Sequence, residues 1–102
     1  MSDNPFFSVV LPNFNHGRYL KDAIDSVLNQ DFNNWELLII DNYSTDNSDE
    51  VISSYNDSRI RVFKIKNEGI IAKSRNLGIK NAQAKWIAFL DSDDIWYFNK
   101  LS

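Results

Sequence analysis

The residues best suited to chemistry form one acidic segment, Asp91-Ser92-Asp93-Asp94, directly after an apolar run at 86–90. That run is short and rich in bulky side chains, so it predicts a buried β-strand. The acids then fall at the strand's carboxyl end, where open α/β sheets bind ligands. Neighbouring carboxylates repel one another unless a hard divalent cation lies between them. Asp91 and Asp93 are therefore candidate ligands of Mg²⁺ or Mn²⁺. The alternative is an acid-rich helix start capped by Asp94.

A second polar cluster follows the apolar run at 35–40, where Asp41 and Asn42 precede a polar loop that contains Ser44. A carboxylate beside an amide offers acceptors and donors in a fixed arrangement, which suits the edge of a nucleotide base or a ribose. The alternative is an ordinary solvated loop between a strand and a helix.

Glycine-rich phosphate loops are absent from the sequence, whose only glycines are Gly17, Gly69 and Gly78. A phosphate held on backbone amides is therefore not expected. A bound diphosphate would need a metal ion and side chains such as Arg75 or Lys73, unless these two simply face solvent. A catalytic triad or a histidine-based metal site is not indicated around His16, the one histidine, which is interpreted as a turn residue.

The elements that would position these residues alternate as β-α-β-α-β-α-β. Strands are predicted at 6–11, 35–41, 59–66 and 86–90, the third as an edge strand because charged and apolar residues alternate. Helices are predicted from Asn15 as N-cap, from Asp46 or Ser48, and over 70–83. Long crossovers predict an α/β, three-layer, doubly wound and mainly parallel sheet, Rossmann-like, in the order 3-2-1-4. The loops at Asn13, Asp41 and Asp91 would then converge.

Composition limits the function classes. The chain has 102 residues, a net charge of −3 and no cysteine. The length fits one domain, and the lack of a basic run argues against nucleic acid as a partner. Without cysteine there is no disulfide or thiolate zinc site, which fits a reducing compartment. We expect a cytoplasmic protein, since no signal peptide or apolar span is apparent.

Five segments together resemble the opening of family 2 glycosyltransferases of the GT-A fold. They occur in the family's order and spacing, as SVVLPNFN (8–15), SVLNQ (26–30), IDNYSTD (40–46), AKSRNLG (72–78) and FLDSDD (89–94). The resemblance implies a single domain over residues 1–102 that binds a nucleotide-diphosphate sugar, most often UDP-linked, in polysaccharide biosynthesis. It also implies inverting transfer of the sugar to an acceptor hydroxyl, assisted by Mg or Mn as the divalent cation.

The resemblance assigns roles to particular positions. The nucleotide-sugar-binding residues would be Pro12, Asn13, Asn15, Asp41, Asn42, Ser44, Arg75, Asp91 and Ser92. The metal ligands would be Asp93 and Asp91.

Two features depart from the family pattern. Asn42 stands where many members carry a second aspartate, and the sequence ends at Ser102, before the family's catalytic base and acceptor site. We therefore expect a truncated donor-binding part that is inactive alone. It would reach membranes only through missing parts and could form a homodimer through the truncated edge.

The same residues are compatible with other functions. One alternative is a fragment that binds nucleotide and metal without catalysis. A phosphoacceptor receiver domain is set aside because the first and third predicted strands end at Pro12-Asn13 and Lys66-Asn67 rather than in the acids that it requires.

Overall fold

The structure, a computed structural model, describes residues 5–66 and 68–91. In chain order the elements are β1 (Phe7–Asn13), α1 (Gly17–Leu28), β2 (Trp35–Asp41), α2 (Ser48–Ser53), β3 (Ile60–Lys64), α3 (Ile71–Asn81) and β4 (Trp86–Phe89). The alternation predicted from the sequence is confirmed. The third strand and the third helix are shorter than predicted.

The four strands form one sheet in the order β3-β2-β1-β4, with every neighbouring pair parallel. The predicted order is confirmed. The pairing register aligns Asn13 with Asp41, and Asp41 with Lys64. The carboxyl ends of β1, β2 and β3 therefore lie side by side.

Apolar residues of the sheet divide between two cores because successive side chains of a strand point to opposite faces. On one face, Val9 and Leu37 pack with Leu20 and Ile24 of α1 and with Ile52 of α2. On the other face, a smaller cluster is formed by Val10, Leu38 and Ile40, with Leu77 of α3 packed against it. Helices cover both faces, which explains why β2 reads as a continuous apolar run.

Helix α3 approaches the sheet closely at Gly78, which is buried. A Cβ built on Gly78 would lie 2.5 Å from Cγ1 of Val10. Such a contact is far inside van der Waals distance, so only glycine permits this spacing between α3 and β1.

Two predictions about the elements are wrong. The strand expected at 86–90 to be buried is partly exposed, with Trp86 52% and Phe89 45% exposed, in the edge position that the predicted order gives it among the described residues. Asn15 is not the N-cap of α1, because that position is His16, which makes no side-chain capping bond. Asn15 has φ = 53° and turns its side chain to another loop.

The amino end of the sheet contains a buried carboxylate. Glu36, the second residue of β2, is 4% exposed and accepts hydrogen bonds from Ser8 of β1, Arg61 of β3 and the Gln83 backbone. Within the described ranges, no helix is long and apolar enough to cross a bilayer.

Candidate functional site

The centre of the polar cluster at the carboxyl end of the sheet is Asp41, the last residue of β2, whose side chain is buried. Its Oδ1 accepts hydrogen bonds from Asn13 Nδ2 at 2.9 Å and Ser44 Oγ at 2.6 Å. Its Oδ2 accepts from the Ser44 backbone N–H and from Lys64 Nζ, both at 3.0 Å. Four donors thus occupy both oxygens of a carboxylate that has no exposure to solvent.

These donors decide the charge state of Asp41. Burial by itself raises the pKa of a carboxyl group, but the hydrogen bonds from Ser44, Asn13 and Lys64 outweigh it. The pKa of Asp41 therefore lies below its ordinary value. The pKa of Lys64 is raised, mainly by its hydrogen bond to Asp49 and further by Asp41. The pair is a carboxylate and an ammonium ion at neutral pH.

Asn13 connects the end of β1 to this cluster and is 3% exposed. Besides Asp41, its Nδ2 lies 3.0 Å from Ser48 Oγ and 3.3 Å from Ser44 Oγ. Its carbonyl oxygen Oδ1 is buried and has no hydrogen-bond partner. Because Asn13 Nδ2 donates to Asp41, the acceptor Oδ1 of the same amide faces away from the carboxylate.

The loops after β1 and β2 are joined by reciprocal hydrogen bonds. The Asn15 backbone N–H donates to Ser44 Oγ at 2.9 Å, and Asn15 Oδ1 accepts from the Thr45 backbone N–H at 2.7 Å. Asp46 Oδ2 accepts from the Gly17 backbone N–H at 2.9 Å, at the start of α1. The side chain expected to cap α1 thus orders the second loop, and an aspartate from the second loop binds the first turn of α1 in its place.

Arg75 and Asp91 form the second polar group of the site. Asp91 lies just beyond β4, and its Oδ1 is 3.5 Å from Nη2 of Arg75 on α3. The guanidinium group also lies over the Phe89 ring, 5.6 Å from the centroid. Both charged side chains are about half exposed, at 43% and 56%. At this length the ion pair is weak, and both groups face solvent.

The predicted site residues therefore fall into two groups. Asn13, Asn15, Asp41 and Ser44 share one hydrogen-bond network, to which Asn42 is joined by its backbone N–H bonding to Asn13 O at 2.9 Å. Pro12 is buried in β1 next to them. The second group is Arg75 with Asp91. Ser92 and Asp93 lie outside the described residues.

The fit of a divalent cation can be tested on the two described aspartates. Asp41 fits poorly, since both its oxygens are occupied by protein donors. Asp91 fits, since its exposed carboxylate supplies the hard oxygen ligands that Mg²⁺ and Mn²⁺ prefer. Over 5–66 and 68–91, no three potential ligands gather into a metal cluster. Of these two aspartates, Asp91 is the one whose oxygens are accessible to a cation.

Sequence reasoning missed two contributors to the network, Lys64 and Ser48. The charged residues of the strand predicted at 59–66, Lys64 among them, indicate only protection of an edge, yet Lys64 binds the buried Asp41. Ser48 was considered only as a helix start, yet its Oγ also lies beside Asn13. The signal for Lys64 was present in the predicted strand order, which places the end of β3 directly beside the end of β2.

Comparison with known proteins identifies the family. The sequence profile described as Glycosyl transferase family 2 matches residues 8–102, so the chain belongs to that family. It is 53% identical over 95 residues to an uncharacterised glycosyltransferase of Rickettsia felis, covering 92% of this chain and 16% of that protein. It is 40% identical over 99 residues to the Escherichia coli UDP-Glc:alpha-D-GlcNAc-diphosphoundecaprenol beta-1,3-glucosyltransferase WfgD, covering 97% of this chain and 39% of WfgD.

A solved structure shows the same fold. The crystal structure of S. aureus TarS 1-349 in complex with UDP matches with a TM-score of 0.87 and 31% identity, over 93% of this chain and 29% of that chain. A complex of the same protein with UDP-GlcNAc matches with a TM-score of 0.84. The architecture is thus that of the GT-A fold, and the chain spans less than half the length of each of these proteins.

Proposed function

We propose that the chain is the donor-binding portion of an inverting glycosyltransferase, which moves a sugar from a UDP-linked donor to an acceptor hydroxyl. The observation that carries this proposal is the network of polar side chains at the carboxyl ends of β1 and β2, beside the point between β1 and β4 where the strand order reverses. Successive connections run from β1 outward on one side and return to β4 on the other, and ligands of open α/β sheets bind in the crevice so formed. Family membership and the nucleotide complexes of TarS support it.

The nucleoside would lie against the loops after β1 and β2. Pro12, Asn13, Asn15 and Ser44 form the wall, and Asn42 is the residue proposed to contact the base. Asp41 acts through its neighbours, because a buried carboxylate with four donors has no free lone pair directed at a ligand. Its contribution is to fix the positions of Asn13 and Ser44. Preorganised polar groups bind without the cost of being ordered when the ligand arrives.

The diphosphate would lie towards β4 and α3. Arg75 is proposed to contact phosphate oxygens, since its side chain is 43% exposed, its bond to Asp91 is long and its buried Nε has no hydrogen-bond partner. Asp91 and Asp93 are proposed to hold a divalent cation, with Ser92 near the ribose and the sugar. The cation would supply Lewis-acid stabilisation of the departing diphosphate.

Transfer also needs a base that deprotonates the acceptor hydroxyl, and positioning of the acceptor accounts for a large share of such a rate. The resemblance places that base outside residues 1–102. We therefore propose that this chain by itself binds the donor without transferring sugar. A turnover assay with a sugar nucleotide separates this from a complete enzyme, because acceptor-dependent release of UDP would show catalysis.

The test of the proposed function is calorimetric titration of the chain with UDP in the presence of Mn²⁺, with a chelator as the metal-free control. Saturable binding that weakens in the chelator is the expected result. ADP serves as a matched nucleotide with the same diphosphate. Equal binding of UDP and ADP, or no binding of UDP with Mn²⁺, would contradict the proposal.

A further inference from the structure

Strand β4 contributes little of its own side-chain surface to the core. It pairs with β1 over four residues, from Phe7 opposite Trp86 to Val10 opposite Phe89. None of its four side chains is fully buried, and the first and last are about half exposed. Leu90, directly after the strand, is buried in the core on the α1 face.

The burial pattern of β4 excludes a slip of one residue against β1 but does not exclude a slip of two. A slip of one residue would turn Leu90 out of the core, because each side chain would change face. A slip of two residues would keep every side chain on its own face. It would move the end of the strand, and Asp91 with it, by about 6.6 Å, from a rise of about 3.3 Å per residue.

Hydrogen bonds at the amino end of the sheet distinguish the observed register of β4 from one slipped by two residues, which the apolar pattern does not. Glu36 Oε2 accepts the Gln83 backbone N–H at 2.6 Å and the Ser8 hydroxyl at 2.6 Å. Ser8 Oγ in turn accepts the Ala84 backbone N–H at 3.0 Å. Two consecutive amides of the turn before β4 are thus held by side chains of β1 and β2, and both side chains are buried.

The remaining bonds of this network complete the link across the sheet. Glu36 Oε1 accepts from Arg61 Nη1 at 2.9 Å, and the same nitrogen donates to the Asn81 backbone carbonyl at 3.1 Å. One carboxylate on β2 therefore contacts β1, β3 and the segment that enters β4. A slipped β4 would withdraw the Gln83 and Ala84 amides and leave buried acceptors without donors, which is costly.

We propose that Glu36 and Ser8 set the register of β4 and thereby place Asp91 beside Arg75 in the site at the opposite end of the sheet. Glu36 is a positioning residue in this account, since it lies at the other end of β2 from the cluster around Asp41. The consequence for nucleotide binding rests on the proposed function. The claim about register does not.

Engineered disulfides report the register directly, because the sequence has no cysteine. Val9→Cys with Ala88→Cys joins Cα partners of the observed register. Val9→Cys with Trp86→Cys, or with Leu90→Cys, joins positions two residues out of register. Those lie roughly 8 Å apart, beyond the about 7 Å that a disulfide spans. In the parent chain we expect oxidation to close the first pair and neither of the others.

Glu36→Gln and Ser8→Ala each remove part of the network. Either variant alone tests the register of β4 if the other does not fold. In both we expect slower closure of the in-register pair and the appearance of an out-of-register disulfide. We also expect faster hydrogen exchange at the Leu90 amide, which donates to Val10 O, by about tenfold. Exchange at the Leu37 and Ile65 amides, which bond across β2 and β3, should not change.

Asp57→Asn is the matched control, because Asp57 pairs with Arg59 near the same end of the sheet. It should leave all three disulfide yields and the Leu90 exchange rate unchanged. In-register closure alone in both Glu36→Gln and Ser8→Ala would overturn the proposal. So would equal acceleration of exchange across all strands, since that is simple loss of stability.

The effect of Glu36 on nucleotide binding is measured separately. Glu36→Gln should weaken Mn²⁺-dependent UDP binding by about tenfold, and closing the in-register disulfide in that variant should restore it. If the parent chain binds no UDP, the proposed function fails while the disulfide and exchange results still decide the register. If the parent binds UDP and the closed disulfide does not restore affinity, the link from Glu36 to Asp91 is wrong.

Discussion

Strand β2 carries a buried carboxylate near each end, and the two differ in how completely their surroundings are satisfied. Around Glu36, the neighbouring Ser8 both donates to the carboxylate and accepts from the Ala84 backbone. Around Asp41, the neighbouring Asn13 donates to the carboxylate, but its own carbonyl oxygen is buried without a partner. The network of Glu36 is closed, whereas the network of Asp41 keeps an unused acceptor. Outside the Glu36 network, the amino end of β2 also has a buried donor without a partner, Trp35 Nε1.

This difference fits two roles. Buried polar groups in a folded protein are normally satisfied, and an unsatisfied one needs an explanation such as a ligand or a water molecule. The amino end is suited to holding strands together. The carboxyl end, with an open acceptor and two flanking loops, is suited to receiving a ligand. The predictions below test this contrast, from the largest expected effect to the smallest.

Asp41→Ala should lower the free energy of unfolding by about 1–3 kcal/mol, because it removes the buried acceptor of Asn13 and Ser44 while Lys64 keeps Asp49 as a partner. Urea denaturation followed by circular dichroism measures this. Asp57→Ala, which breaks a more exposed pair with Arg59, should cost only about 0–1 kcal/mol. Equal losses in the two variants would mean that the Asp41 network contributes no more than a surface ion pair.

Asp93→Ala should weaken Mn²⁺-dependent UDP binding by tenfold or more, about 1.4 kcal/mol, because Asp93 is proposed to bind the cation. Calorimetry compares it with the parent chain, and Asp57→Ala is again a control. Unchanged affinity would remove Asp93 from the metal site.

Acid should destabilise the chain through Asp41. Its pKa is depressed in the folded state, so its contribution is fully present above the unfolded value of about 3.9. That contribution is lost as pH falls through the folded pKa. Urea denaturation at pH 7 and at pH 3 should show a smaller acid-induced loss for Asp41→Asn than for the parent. Parallel pH profiles would show that other groups dominate.

Base selectivity should be modest, because Asn42 can both donate and accept and thus tolerates more than one base edge. We expect UDP to be preferred over GDP and CDP by less than tenfold, under about 1.4 kcal/mol. Competition against a labelled UDP measures the ratios. A clear preference for GDP would contradict the assignment of a uridine site.

Much of the fold can be predicted from the sequence, because the lengths of the apolar runs and the spacing between them determine the elements and their pairing. The continuous apolar run of β2 predicted a strand covered on both faces, and the crossovers predicted parallel pairing in the order found. The loops at Asn13, Asp41 and Asp91 were predicted to converge, and the contact between Asn13 and Asp41 follows from that order. Asp91 pairs with Arg75 instead and does not join the Asn13–Asp41 network.

The errors have equally physical causes. Nothing local decides whether the Asn15 side chain bonds to its own helix or to Thr45 thirty residues away. An apolar run of five residues predicts burial, although the predicted order already places β4 at the edge, where Trp86 and Phe89 are about half exposed. The roles of Lys64 and Glu36 depend on ion-pair partners on other strands, and the sequence of one segment does not identify those partners.

The most direct test of the central claim is amide chemical-shift mapping of the ¹⁵N-labelled chain during titration with UDP and Mg²⁺, which is diamagnetic. We predict shifts at Asn13, Asn42, Ser44 and Asp91, at the carboxyl end of the sheet. Ser8, Glu36 and Ala84, at the amino end, should not shift. Shifts centred on the amino end, or no shifts at saturating UDP, would contradict the account.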